Sequence, residues 1–271
     1  MTSISGITDP GHRAGENQDS IGWDAARCLA LVADGLGGHA SGQVASSIVK
    51  QTLLNPFNTT NLRTTALRAH AAIIQAAEKD DRLHGMASTV VAAQIVRRVA
   101  QIVWLGDSRA YLWRDGAISR LTRDHSLVEE LREVTPLSET QVRAHPQRNE
   151  ITNVLGAGNP VPATAELPLR KGDWILLCSD GLHGELRDEE IGALLGAAPS
   201  PAEAAQRLIA AALAHGGHDN VSAVIIKYEG PSKHALKLQL SEGAVGWLAV
   251  LGGVILAIVL TVVLMWIRHK R

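Results

Sequence analysis

Residues 101–121 read QIVWLGDSRAYLWRDGAISRL. One apolar run, Gln101 to Leu105, stops at Gly106-Asp107. A second, Arg109 to Arg114, stops at Asp115-Gly116, and a third begins at Ala117. Asp-Gly between two short apolar runs favours a two-residue hairpin, because both central residues of that turn need positive φ. The stretch therefore predicts antiparallel strands, and it leaves one carboxylate, Asp107, where a strand ends.

Outward from this hairpin, runs rich in Val, Ile and Leu at 28–33, 88–96, 173–179 and 222–228 predict further strands, with a turn at Lys171-Gly172-Asp173. Apolar residues three to four apart predict helices over 41–54, 61–80 and 200–215, and weaker ones over 126–133 and 138–144. Strands cluster in the middle of the chain without regular β-α-β alternation. That disfavours a parallel-sheet architecture and favours an α+β layered fold. Residues 133–158 are polar, contain Pro136, Pro146 and Gly156, and read as a long excursion of the functional kind.

The 271 residues are 46% hydrophobic and 20% charged, which is too apolar for a disordered chain. The formal net charge of −1 divides unevenly, with −5 on residues 1–229, +1 on 230–243 and +3 on 268–271. A domain at −5 is a poor surface for nucleic acid, so no nucleic-acid partner is expected. Cys28 and Cys178 are far apart, in apolar runs and outside any metal-binding spacing, and read as reduced core thiols. The opening MTSISGITDPGHR has no basic or apolar region of a signal peptide.

Ala244 to Ile267 contains no charge over 24 residues, which at ~1.5 Å each crosses a ~30 Å hydrocarbon core. Trp247 and Trp266 lie near its ends, where indoles prefer headgroups. The expected organisation is a domain at 1–229, a linker at 230–243, a transmembrane helix at 244–267 and a basic tail at 268–271. Three lysines before the span (227, 233, 237) face three basic residues after it (268, 270, 271), so charge does not orient it. Translocating four residues is easier than translocating a folded domain, so the expectation is a single-pass protein of the cytoplasmic membrane with its domain in the cytoplasm. Ala249, Gly253, Ala257 and Thr261 recur every four residues and offer a dimer face, although small residues are common in spans generally.

Five aspartates fall at strand borders. Asp34 follows CLALVA, Asp107 follows QIVWLG and Asp180 follows WILLCS, while Asp19 and Asp219 precede apolar segments. A carboxylate beside a buried strand is costly to desolvate unless it is paired or bound to a cation. With no matching Cys or His pattern, the set selects a hard cation, Mg²⁺ or Mn²⁺, over zinc. Taken singly, each Asp-Gly pair is ordinary turn chemistry.

These residues also carry a family resemblance. Thr8-Asp9-Pro10-Gly11 with Asn17-Gln18-Asp19, ADGLGGH at 33–39, ASTVV at 87–91, LGDSRAYLWRDG at 105–116, LTRDHSLV at 121–128, HPQRNEITNVLG at 145–156, LCSDGL at 177–182 and HDNVSAVII at 218–226 resemble, in order and spacing, the bacterial metal-dependent protein phosphatases of the type 2C class. The resemblance implies a four-layer α-β-β-α sandwich of two antiparallel sheets. It also implies hydrolysis of phosphoserine and phosphothreonine in proteins, opposing a Ser/Thr kinase, by a bridging water on two Mn²⁺ or Mg²⁺ ions. By position, Asp34 would bridge the metals and Gly35 would give its carbonyl to one of them. Asp180 and Asp219 would bind the other, Asp19 would act through water, and Asp107 with Asp180 would form a third, weaker site. Arg148, in the excursion that corresponds to the family's flap, is a candidate substrate contact or a solvated loop charge.

Two departures stand out. The place of the family's phosphate-binding arginine is Ala14, and the nearest arginine is Arg13, one residue away and so on the opposite face of an extended segment unless a bulge intervenes. Leu36 stands where eukaryotic members carry a general-acid histidine, which leaves His39 or metal-bound water to protonate the leaving oxygen, or leaves His39 as a turn residue. Two further readings stay open: a catalytically impaired, phosphoprotein-binding regulatory module, and an enzyme for anti-sigma antagonist proteins.

Overall fold

The computed structural model describes residues 2–12, 15–38, 41–57 and 61–230, within the compact unit Thr2–Gly230. Among the described residues, eleven strands form two antiparallel sheets. The first has the order β1-β11-β10-β7-β8, built from β1 (Thr2–Asp9), β7 (Arg109–Arg114), β8 (Ala117–Arg120), β10 (Trp174–Cys178) and β11 (Val221–Tyr228). The second has the order β2-β3-β5-β6-β9, built from β2 (Asp19–Asp24), β3 (Leu29–Leu36), β5 (Val90–Val96), β6 (Val99–Leu105) and β9 (Ala163–Pro168), with the short β4 (Ala87–Ser88) paired to the end of β3. Helices α1 (Ser41–Leu54) and α2 (Leu62–Ala77) cover the second sheet. The first is covered by α5 (Asp180–His183), α6 (Asp188–Ala197) and α7 (Pro201–His215). Helices α3 (Leu127–Val134) and α4 (Glu139–Ala144) belong to the excursion.

This is the expected four-layer arrangement, and side-chain alternation shows how it is held. In β10, Ile175 and Leu177 point between the sheets with Val32, Val91, Ile102 and Val224. Trp174, Leu176 and Cys178 point the other way, onto Leu186, Leu195 and Leu208 of the helical layer. A strand buried on both faces reads as an unbroken apolar run even in an antiparallel sheet, which is why WILLC carries no polar alternation.

The Asp-Gly turn is as expected: Asp115 and Gly116 have φ of 52° and 84°, and Arg114 pairs with Ala117. A second two-residue turn joins β5 to β6 through Arg97 and Arg98, both left-handed at φ 48° and 72°. No glycine or asparagine announces it. The left-handed region costs a side-chain-bearing residue about 1–2 kcal/mol, which the seven paired residues on each side offset.

Strands β1, β2 and β9 and helices α5 and α6 have no counterpart in the sequence reading. β1, TSISGITD, is half-buried throughout and is held as an edge by pairing from Thr2 with Tyr228 to Asp9 with Val221. Helix α6 contains Gly192 and Gly196, which weaken its helical signal; side chains there would press on Ile118 and Trp113. Both cysteines are free, and Cys178 is the buried core thiol expected, but Cys28 is not a core thiol. It sits half-buried in the β2–β3 turn at φ 50°, where Thr2 Oγ1 donates to its sulfur at 3.3 Å.

The excursion is tied down at its return. Leu127 N donates to Glu150 O, Thr152 N to His125 O, and Leu155, fully buried, exchanges backbone bonds with Ser88. The expected linker beyond Gly230, the span 244–267 with its four small residues, and the tail 268–271 lie outside the described residues. Among the described residues no helix is long and apolar enough to cross a membrane.

Candidate functional site

All five strand-border aspartates lie at one end of the sandwich. β2 and β3 pair with Asp19 directly opposite Asp34, a register that sets Cβ atoms about 5 Å apart. Asp180 follows β10 and Asp219 precedes β11, at the end of the ladder where Cys178 meets Ala223. Asp107 sits in the crossing from β6 of one sheet to β7 of the other.

The glycines after Asp34 and Asp180 serve a purpose other than turn formation. Neither has positive φ. A Cβ on Gly35 would stand 2.0 Å from Gly42 O of α1, and one on Gly181 would stand 2.1 Å from Asn220 O. Each strand end thus lies against another backbone that no side chain would allow. The Gly35 carbonyl oxygen itself faces Gly42, where a Cβ would approach it to 2.7 Å.

Asp19 and Asp107 are buried, and Asp34, Asp180 and Asp219 are half-buried. Burial pushes the Asp19 carboxyl up to about 7 against the opposing hydrogen bonds from Ser222 and Ser179, with the charges of Asp180 and Asp219 adding to the rise. Burial, then Asp219, raises Asp180 to about 6. Asp34 is held well above the usual range by burial and by the other four aspartates. Asp107 is held up by burial, Asp180 and Asp124. Among the described residues no lysine or arginine forms an ion pair with Asp19, Asp34, Asp107 or Asp180.

Asp19 Oδ1, Asp107 Oδ1 and Asp180 Oδ1 are buried without a hydrogen-bond partner. Orphaned carboxylate oxygens in a cluster of like charge are the donor pattern that a bound cation satisfies. The donors are all oxygen, which suits a hard divalent ion. Among the described residues no three acidic or imidazole groups form a ready-made cage. Mg²⁺-like ions are ordinarily held by one or two carboxylates with several waters, so the residues fit such ions rather than zinc.

Several further residues support the cluster. Ser179 Oγ donates to Asp19 Oδ2 at 2.7 Å. Asn220 accepts from Gln18 N at 2.8 Å and donates to Pro10 O at 3.0 Å, fastening the segment before β2 to the first sheet. Thr8 Oγ1 receives Asn17 Nδ2 and Ser222 Oγ, both at 2.8 Å. Thr8, Asn17, Ser179 and Asn220 all lie within the motifs that carry the resemblance, but nothing in one dimension shows that they meet.

Beside the cluster opens a cleft of about 420 Å³ lined by Asp107, Asp180 and Asp219 and, from the excursion, by Val142, Arg148 and Asn149. Asp19 and Asp34 do not line it. Arg148 is thus brought to the aspartates, while Arg13 and His39 lie outside the described residues. Arg109, two residues beyond Asp107, is turned to Asp124 and Tyr111. Its Nε lies 3.0 Å from both oxygens of Asp124, its Nη2 2.6 Å from one of them, and its Nη1 bonds Tyr111.

A family model described as "Protein phosphatase 2C" matches residues 12–216. The serine/threonine protein phosphatase PstP of Mycobacterium tuberculosis is 36% identical over 225 residues, which is 80% of this chain but 43% of that protein. The chain therefore spans less than half the length of that relative. The serine/threonine phosphatase stp of Listeria monocytogenes is 33% identical over 73% of this chain and 84% of its own. The solved catalytic domain of PstP in complex with two manganese ions superposes with a TM-score of 0.76 at 32% identity, covering 83% of this chain and 97% of that one.

Proposed function

Because the chain belongs to the protein phosphatase 2C family, we propose that it hydrolyses phosphoserine and phosphothreonine in proteins with two Mn²⁺ or Mg²⁺ ions. The observation that carries this reading is the cluster of aspartates with orphaned, buried oxygens at one end of the sandwich. Asp34, Gly35, Asp180 and Asp219 would hold the two ions, Asp19 would act through water, and Asp107 with Asp180 would hold a third. When bound, such ions supply a water acidified to near neutral pH and neutralise phosphoryl charge.

The chain's own residues supply the rest. Ser179 fixes one oxygen of Asp19 and leaves the other buried without a partner, available to a metal-bound water. Arg148 and Asn149 line the same cleft as Asp107, Asp180 and Asp219 and would receive the phosphoprotein. Arg13 is proposed for the phosphate and His39 for the leaving-group proton. The opposing activity is a Ser/Thr kinase, and the span 244–267 tethers the domain to the cytoplasmic membrane, open to dimerisation through Ala249, Gly253, Ala257 and Thr261. The displaced arginine is the one observation that favours an impaired, phosphoprotein-binding module instead.

The test is hydrolysis of p-nitrophenyl phosphate and a phosphothreonine peptide by the full chain with Mn²⁺ and with EDTA. Mn²⁺-dependent turnover abolished by EDTA is expected; its absence in wild type rejects the enzymatic reading. Extraction by detergent but not by high salt is expected of the tether.

A pH dependence follows from the raised carboxyls. The ordinary aspartate value is 3.8, against about 7 for Asp19 and about 6 for Asp180. Raised folded-state values mean that these groups' contribution is full below about pH 4 and lost as pH rises through 6 to 7. The metal-free domain thus loses stability from this cluster across that window. His70 and His125, lowered by burial, act oppositely: their contribution is present above about pH 6.5 and lost on acidification below it. A cation must displace the carboxyl protons. At 100 times Kd it adds about 2.7 kcal/mol, or about 5–10 °C in Tm, at pH 7.5. Differential scanning fluorimetry should show that shift at least halved at pH 5.5, and an equal shift at both values would count against metal binding by these carboxylates.

A further inference from the structure

Asp107 is carried by a turn that glycine makes possible. Gly106 has φ +95°, and a Cβ there would stand 2.6 Å from the Thr89 side chain. Two histidines grip this turn. His125 brackets Gly106: its backbone N donates to Gly106 O at 2.9 Å, and its ring Nδ1 accepts from Gly106 N at 3.2 Å. Asn153 Nδ2, 3.3 Å away, also approaches that ring nitrogen. The ring stacks on Trp104 with centroids 6.3 Å apart. From the other side, buried His183 places Nε2 3.0 Å from the Asp107 carbonyl oxygen.

The partners decide the protons. A backbone N–H can only donate, so His125 Nδ1 is a bare lone pair. A carbonyl can only accept, so His183 Nε2 carries hydrogen. Burial lowers the His125 pKa, which keeps that ring neutral as its acceptor role requires. Asp107 Oδ1, the atom that the turn presents, is buried without a partner, and Asp107 lines the cleft beside Asp180.

We infer that His125 and His183 are positioning residues that clamp the Gly106–Asp107 turn and so aim the Asp107 carboxylate at the cation site. The inference rests on the reading of Asp107 as a metal ligand. Outer partners of this kind tune metal affinity by orienting the ligand, typically by about 10–100-fold.

The two rings need opposite isosteres, because asparagine Oδ1 takes the place of Nδ1 and glutamine Nε2 that of Nε2. In the full chain, His125→Asn and His183→Gln should keep Mn²⁺ affinity, measured by titration calorimetry, within about threefold. His125→Gln and His183→Asn should weaken the weakest Mn²⁺-binding step by about tenfold or more, matching the direction of Asp107→Asn. Equal losses from both isosteres at either position would show packing alone and overturn the inference. So would losses in the histidine variants with Asp107→Asn silent. Failure of the phosphatase reading is separate, since it appears as wild-type protein without Mn²⁺-dependent turnover. Should a variant not fold, imidazole ¹⁵N shifts of the unaltered chain decide: an Nδ1-protonated His125 or an Nε2-deprotonated His183 would overturn the clamp.

Discussion

Asp34→Asn should lower Mn²⁺-dependent hydrolysis of p-nitrophenyl phosphate by about 10³-fold or more, the rate equivalent of the several kcal/mol that a cation supplies to a phosphoryl transition state. The same substitution should leave the metal-free protein at least as stable as wild type. Asp34 is pressed by burial and by four neighbouring carboxylates, and an amide relieves both costs. Mn²⁺ should then raise the Tm of the variant less than that of wild type. The combination separates a functional loss from unfolding. A variant that loses Tm in EDTA would mean that Asp34 supports the fold, and one that keeps its turnover would remove it from the reaction.

Asp124→Ala should cost about 3–5 kcal/mol, because it leaves Arg109 charged, buried and unpaired. Both side chains of this pair are under 10% exposed, at 8% and 7%. Removing the carboxylate strands three donor contacts of Arg109, whereas Arg120, whose Nη1 lies 3.8 Å from Asp124 Oδ2, keeps Glu129 and the Thr122 carbonyl. The expected fall in Tm is roughly 6–20 °C at this domain size. Glu133→Ala, which breaks the contact with half-exposed Arg123 in the same region, should cost less than about 1 kcal/mol. Urea unfolding of the two variants side by side measures the contrast, and equal losses would refute it.

Sequence and structure divide in a way that has a physical cause. Periodicity and turn chemistry are local, so the Asp115-Gly116 hairpin, the doubly buried β10 and helices α1, α2 and α7 were legible from neighbours alone. β1 and β9 were not, because an edge strand earns its place by pairing with a distant partner, as Thr2 does with Tyr228. The Arg97-Arg98 turn was illegible because the paired strands impose its φ values. Helix α6 hid behind two glycines whose packing reason lies across the layer.

The candidate site follows the same division. Five aspartates at strand borders were visible in one dimension, because a carboxylate that interrupts an apolar run is anomalous wherever it lies. That they converge, that three of their oxygens have no partner, and that Ser179, Asn220, His125 and His183 hold the loops around them depend on two sheets ending together. Residue identities alone set the chemical type of the cluster, hard oxygen donors without a thiol or imidazole pattern beside them. Which donors meet, and what keeps them there, depends on the folded chain, since burial and like-charge crowding arise between segments that lie as much as 200 residues apart, as Asp19 and Asp219 do.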